Sequence, residues 1–246
     1  MKNQNCIAII TARGGSKRIP NKNLIKINGL SLVGHTLKAA ADAKLFSQII
    51  LSSDSDLILI EVKKIKNVIA LKRNSKLASD TAKSMDVVLE ILNHPDFKSA
   101  ESVCLLQPTS PLRTAKHIRD CWNLFQSTGA SAAVSAGPIV SNPFHMVYQQ
   151  TQHGQHRVEP VLESNIFSFR TQDTPEIFAL NGAIYFATVK KLKKDRSFIG
   201  KDALIYKMNL RDSLDIDEPT DLKLARKLLE KTGRKTGKST NKRKVK

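Results

Sequence analysis

A chain of 246 residues, 41% hydrophobic and 25% charged, can bury a sizeable core, which excludes a collagen, a coiled-coil rod or a wholly disordered polymer. Apolar runs such as Ile7-Ala8-Ile9-Ile10 are too short to span a bilayer, and the apolar stretch after Lys2 ends at Arg13 with no cleavage-type segment, so a cytoplasmic protein with no membrane partner is expected. The net charge is +18. Residues 231–246 hold eight cations and no acid, which leaves +10 for the rest.

The elements alternate along the chain. Cys6–Thr11 reads as a strand, Leu32–Leu45 as a helix, Gln48–Ser53 as a strand and Asp56–Lys66 as a helix. Val68–Leu71 and Ser102–Leu106 read as strands on either side of a helix over Ser84–Leu92. A helix around Ala115–Phe125 and a strand at Ala132–Ala136 follow. Short apolar strands separated by helices imply an α/β, Rossmann-like fold with a mostly parallel sheet flanked by helices. Residues 141–178 break this rhythm, with three prolines and no helical spacing, and are expected to form an irregular dimerisation or lid excursion. Strand character returns at Ala183–Ala187 and Ala203–Met208. A helix begins at Pro219, with Gly233 marking its end. One domain is expected over 1–230, with a disordered basic tail over 231–246. Cys6, Cys104 and Cys121 lack metal-ligand spacing and read as small buried hydrophobes in a reducing compartment.

The loop after the first strand carries Arg13, Gly14, Gly15, Ser16, Lys17, Arg18, Lys22 and Asn23. Such a loop lies at the carboxyl edge of the sheet, where ligands bind. Paired glycines permit close backbone approach and an anion-binding nest, and four cations within ten positions suit a triphosphate. The spacing is neither a Walker A loop nor the dinucleotide fingerprint, and composition alone also allows a plain turn with solvated charges. Gln107-Pro108-Thr109-Ser110-Pro111 likewise follows a strand, and its two prolines stiffen the backbone that carries the Gln107 amide. Arg113 reads equally as a substrate contact or as a neighbour of the helix start at Thr114. Asp215 and Asp217 alternate around Ile216, so in an extended segment both carboxylates share one face while Ile216 turns to the core. That pair suits Mg²⁺, a hard cation that offsets triphosphate charge; a helix cap beside a solvated acid is the other reading.

Five blocks in order, Ile9–Asn23, Leu77–Thr81 with Ser84, Leu105–Arg113, Asn181–Tyr185 and Ser213–Asp217, resemble the signatures of the acylneuraminate cytidylyltransferases. The resemblance covers roughly residues 6–230. It implies transfer of a cytidylyl group from CTP to a nine-carbon 2-keto sugar acid, N-acetylneuraminate first, with legionaminate and pseudaminate as alternatives. It also implies Mg²⁺ as cofactor and a homodimer. Arg13, Lys17, Lys22 and Asn23 match the family's nucleotide-contacting positions, as do Gly14, Gly15 and Ser16 within the same block. Arg73 and Ser84 match the cytosine and ribose side, and Gln107 and Asn181 the sugar-acid side. Arg170 is a candidate replacement for cations that some relatives carry where this chain has His145 and Ala179. Arg13, Lys22 and Asp217 are the expected catalytic groups, and Asp215 with Asp217 the metal ligands. Without the resemblance, Ser84 could simply start a helix, Arg73 end a strand and Gln107 bind its own loop. A different class, a nucleic-acid-binding protein using the basic tail, is motivated by charge alone, and the tail has no aromatic residue for base stacking.

Overall fold

The computed structural model describes residues 5–74, 77, 83–152, 155–162 and 175–236. Its centre is a seven-stranded sheet. The strands are β1 (Cys6–Thr11), β4 (Gln48–Ser53), β5 (Val68–Lys72), β6 (Ser102–Leu106), β7 (Ala132–Pro138), β10 (Phe178–Thr188) and β11 (Ala203–Lys207), in the spatial order β11-β7-β10-β6-β1-β4-β5. β1 pairs in parallel with β4 and β6, β4 with β5, and β7 with β11; β10 alone runs antiparallel, between β6 and β7. The α/β, mostly parallel expectation holds.

Why these residues build this sheet follows from burial. Every residue of β6, and all of β1 except Thr11, is buried, because helices cover both faces of the sheet. One core cluster packs Ala8, Ile10, Leu51 and Leu106 under α1 (Leu32–Ala43) and α4 (Ala115–Thr128). A second packs Ile7, Ile9, Ile50 and Leu105 under α3 (Ser84–Asn93) and α5 (Val189–Asp195). Ser31 caps α1 by accepting from the Gly34 amide at 3.0 Å, and Thr114 caps α4 in a reciprocal box with His117. The three cysteines are buried and unpaired.

The structure departs from the sequence reading in four places. The Asp56–Lys66 helix is only α2 (Asp56–Leu59) followed by a 3₁₀ stretch, Ile60–Lys64, with Leu57 and Ile60 exposed. Its apolar residues do not share one helical face, so packing does not extend the helix. A small hairpin, β2 (Lys26–Ile27) and β3 (Leu30–Ser31), turns through Asn28 and Gly29 at φ 48° and 82°. The excursion called irregular contains an antiparallel hairpin, β8 (Val147–Gln152) with β9 (Gln155–Pro160). Finally, α6 (Pro219–Thr236) runs three residues past Gly233, so part of the basic segment is helical rather than disordered. One interior glycine costs a helix about 1 kcal/mol, too little to stop one that has already propagated for several turns.

Candidate active site

Because β1, β4, β5, β6, β7 and β11 run in one direction, their carboxyl ends share one edge of the sheet, and the start of antiparallel β10 joins them there. The loop 12–21 leaves this edge from β1, Asp54 from β4, Arg73 from β5, Gln107 from β6 and the segment 208–217 from β11. Asn181 and Gly182 lie in a register shift of β10 at the same edge. The topology therefore gathers the described candidate residues into one region.

The first loop is held from below. Asn23, buried, donates its amide to the Arg13 carbonyl at 2.8 Å. Ile19 is buried with Ile27, Leu32, Ile216, Leu222 and Ala225. This apolar cluster ties the loop to the segment after β11, and it sets the cations opposite the acids. Lys22 Nζ donates to the Ile216 carbonyl at 2.6 Å and lies 3.1 Å from Asp217 Oδ1. Arg18 reaches Asp217 at 4.0 Å and Glu218 at 3.4 Å. Arg13, Ser16, Lys17, Arg18, Lys22 and Asp217 line an open cleft of about 430 Å³. The Arg18 pairs are exposed on both sides and contribute little to stability, whereas the Lys22 side chain is only 14% exposed.

The glycines divide the work unequally. A Cβ on Gly14 would lie 2.9 Å from Ser55 Cβ, whereas one on Gly15 would meet nothing within 4 Å. The Gly14 amide donates to Asp54 Oδ1 at 2.8 Å, so it supports the loop on β4 instead of opening into an anion nest.

Asp215 and Asp217 differ. Ile216 between them is fully buried, and its amide donates to the Thr109 carbonyl at 2.8 Å. Asp217 is exposed and paired as above. Asp215 is turned inward, with Oδ1 buried and without a hydrogen-bond partner. Burial pushes its carboxyl above the usual range. Asp217 and Asp221 add to the rise, while a hydrogen bond with Thr109 and the charge of Lys22 oppose it. An orphaned buried carboxylate oxygen beside a second carboxylate is a donor set that fits a hard divalent cation. Among the described residues no group of three or more His, Cys, Asp or Glu could hold a metal, so protein ligands for such a cation would be few.

Arg73 is not a solvated strand end. It is buried, and its guanidinium donates to the Ser52 carbonyl at 2.8 Å and to the Ser52 hydroxyl at 3.3 Å. Burial lowers its pKa, while Asp54 and Glu90 raise it. Ser84 is the first residue of α3 and does not cap it. Asn181 is buried and its side chain is committed inward: Oδ1 accepts from the Ser135 hydroxyl at 2.6 Å and the Ala183 amide at 3.2 Å, and Nδ2 donates to the Ser213 hydroxyl at 3.1 Å. Arg113, left open by the sequence, is 4% exposed and donates only within the protein. Arg170 and residues 78–82 of the second block lie outside the described residues. Sequence reasoning missed Asp54, which follows β4 at the same edge; that position was its only signal.

The cytidylyltransferase family matches residues 7–240. The chain is 33% identical over 231 residues to a CMP-N,N'-diacetyllegionaminic acid synthase of Legionella pneumophila, covering 91% of this chain and 96% of that protein. It is 29% identical to an N-acylneuraminate cytidylyltransferase of Streptococcus agalactiae over 87% of this chain, which spans only 51% of that longer protein. A CMP-2-keto-3-deoxy-manno-octonic acid synthetase solved with CTP shares the fold, with a TM-score of 0.68 at 14% identity, over 92% of this chain and 99% of that one.

Proposed function

Since the chain belongs to the cytidylyltransferase family, we propose that it transfers the cytidylyl group of CTP to a nonulosonic, sialic-type sugar acid, giving the CMP-sugar and pyrophosphate. The observation that carries this reading is the pairing of the cationic first loop with the acids after β11, through Lys22, Ile216 and Asp217. A triphosphate needs cations, and a divalent cation that accompanies it needs carboxylates; both sit on one edge of the sheet. The relative that is 33% identical and nearly co-extensive with this chain favours an N,N'-diacetyllegionaminate-type acceptor over N-acetylneuraminate.

In this reading the triphosphate lies along the cleft, with Arg13, Lys17 and Lys22 balancing its charge. Gly14 keeps the loop close to β4, and Arg73 and Ser84 border the nucleoside. Gln107 orients the sugar acid, and Asn181 positions the turn beside it. The anomeric hydroxyl oxygen forms a bond to the α-phosphorus, the bond from that phosphorus to the β-bridging oxygen breaks, and the hydroxyl proton passes to solvent. Asp215 and Asp217 would hold Mg²⁺, which when bound offsets charge on the phosphates. Lys22 stabilises charge that develops on the phosphoryl oxygens.

A homodimer belongs to the same proposal. Val147, Tyr148, Val158 and Val161, on and beside the β8–β9 hairpin, are exposed, as a contact surface between copies requires. Light scattering should report a dimer, and an active monomer at working concentration refutes this part. The reaction itself is tested by pyrophosphate release across a panel of sugar acids. Release is expected only with CTP, Mg²⁺ and a nonulosonic acid together, and no release with any acid in the panel refutes it.

A further inference from the structure

Beneath the residues just assigned lies a buried cation that the proposed reaction does not use. Arg113 Nη1 donates to the Gln107 carbonyl at 2.9 Å and to the Ala183 carbonyl at 2.8 Å. Its Nη2 donates to Thr36 Oγ1 at 2.6 Å, while Nε is buried without a partner. All three acceptors are uncharged, and among the described residues no carboxylate pairs with the guanidinium. Burial lowers its pKa to about 10, so it remains charged at neutral pH.

Burying an unpaired charge is a poor way to stabilise a core, because apolar packing would do so without desolvating an ion. What the arrangement supplies is geometry. A planar guanidinium holds three elements at fixed separations: the loop after β6, the turn in β10 and the middle of α1. Two of them meet directly at the acceptor side, where Gln107 Oε1 lies against Gly182. A second tie, from the Ser110 hydroxyl to the Asn181 carbonyl at 3.2 Å, joins the same two segments.

We infer that Arg113 is the positioning residue of the acceptor half of the site, fixing the Gln107 loop against the Asn181-Gly182 turn while leaving the nucleotide half to the first loop. The inference rests on the assignment of Gln107 to the sugar acid. None of the hydrogen bonds of Arg113 goes to the first loop, so its loss should separate the two substrates.

The test uses Arg113→Lys, which keeps the charge but cannot bridge three acceptors with a rigid fork, and Thr36→Val, a milder change that removes one acceptor with little change of volume. Thr36→Val carries the test if Arg113→Lys does not fold. Amide hydrogen exchange should rise at Gln107, Thr109 and 181–183 and stay unchanged in β1 and β4. The KM for the sugar acid should rise about 10-fold in Arg113→Lys and about 3-fold in Thr36→Val, with the KM for CTP within about 2-fold of wild type. Unchanged exchange at both segments, or equal rises in both KM values, overturns the inference. Gln107→Ala separates the two claims. If exchange rises as expected but neither Gln107→Ala nor Arg113→Lys alters the acceptor KM, the positioning holds and the assignment of Gln107 fails.

Discussion

A Cβ on Gly182 would lie 2.4 Å from Gln107 Oε1, so the turn in β10 and the amide after β6 touch where one of the two residues has no side chain. Gly182 also has φ +69°, a conformation that L side chains rarely adopt. Both facts act at the same place, which makes this contact a sensitive probe of the proposed acceptor side.

Gly182→Ala is therefore expected to destabilise the fold by about 1–3 kcal/mol through strain and displacement of Gln107. The surviving folded enzyme should show a larger rise in KM for the sugar acid than for CTP. Thermal unfolding and two-substrate kinetics measure the two effects, and an unchanged Tm contradicts the prediction.

Gly14 and Gly15 are expected to differ although they are neighbours. Gly14→Ala must move the loop off Ser55, so the KM for CTP should rise about 10-fold. Gly15→Ala meets no neighbour and should leave that KM within about 2-fold. Equal effects would mean that the loop acts through two open amides after all.

The acids should separate by pH. A carboxyl whose pKa is raised in the fold favours its proton there, so the fold is penalised as pH rises through the raised value. Asp215→Asn should thus raise Tm at neutral pH while lowering kcat by about 100-fold or more; Asp217→Asn should lower kcat, with partial rescue at high Mg²⁺. In the wild type, activity should fall as pH drops through the raised Asp215 pKa, above the ordinary carboxylate range. A Tm unchanged or lowered by Asp215→Asn contradicts the burial argument.

The basic terminus is tested by ending the chain after Thr236, the last residue of α6. The kcat should stay within about 2-fold of the full chain, and retention on a polyanion resin should fall, with strong salt dependence. A large loss of turnover would give residues 237–246 a part in catalysis or folding.

The sheet was legible because strands buried on both faces carry continuous apolar runs: Cys6–Thr11, Gln48–Ser53 and Ser102–Leu106 coincide with their observed bounds. The β8–β9 hairpin was not. Its pairs, such as Gln149 with Val158 and Gln150 with Arg157, give neither face an apolar stripe. The β2–β3 hairpin did carry a signal, Asn28-Gly29, that went unread. At the site, residue types and spacing pointed to candidate side chains but not to where they turn. The inward commitment of Asn181 and Arg113, the support of Gly14 by Asp54, and the unequal burial of Asp215 and Asp217 all depend on partners distant in sequence.

β7 and β10 are adjacent partners whose ends meet at Phe178 and Pro138, so the connection between them begins and ends at one place on the sheet. A segment anchored in this way can change length or composition without altering any strand register, since doubling a loop costs only about 0.6 kcal/mol in closure. Both of its anchors stand at the edge that carries Gln107 and Gly182, not on the flank beside β5 and Arg73. In the proposed reading that edge is the acceptor side, and the nucleotide side is built from other strands. Under that reading, exchanging 139–177 between relatives is expected to change acceptor preference and leave CTP handling intact.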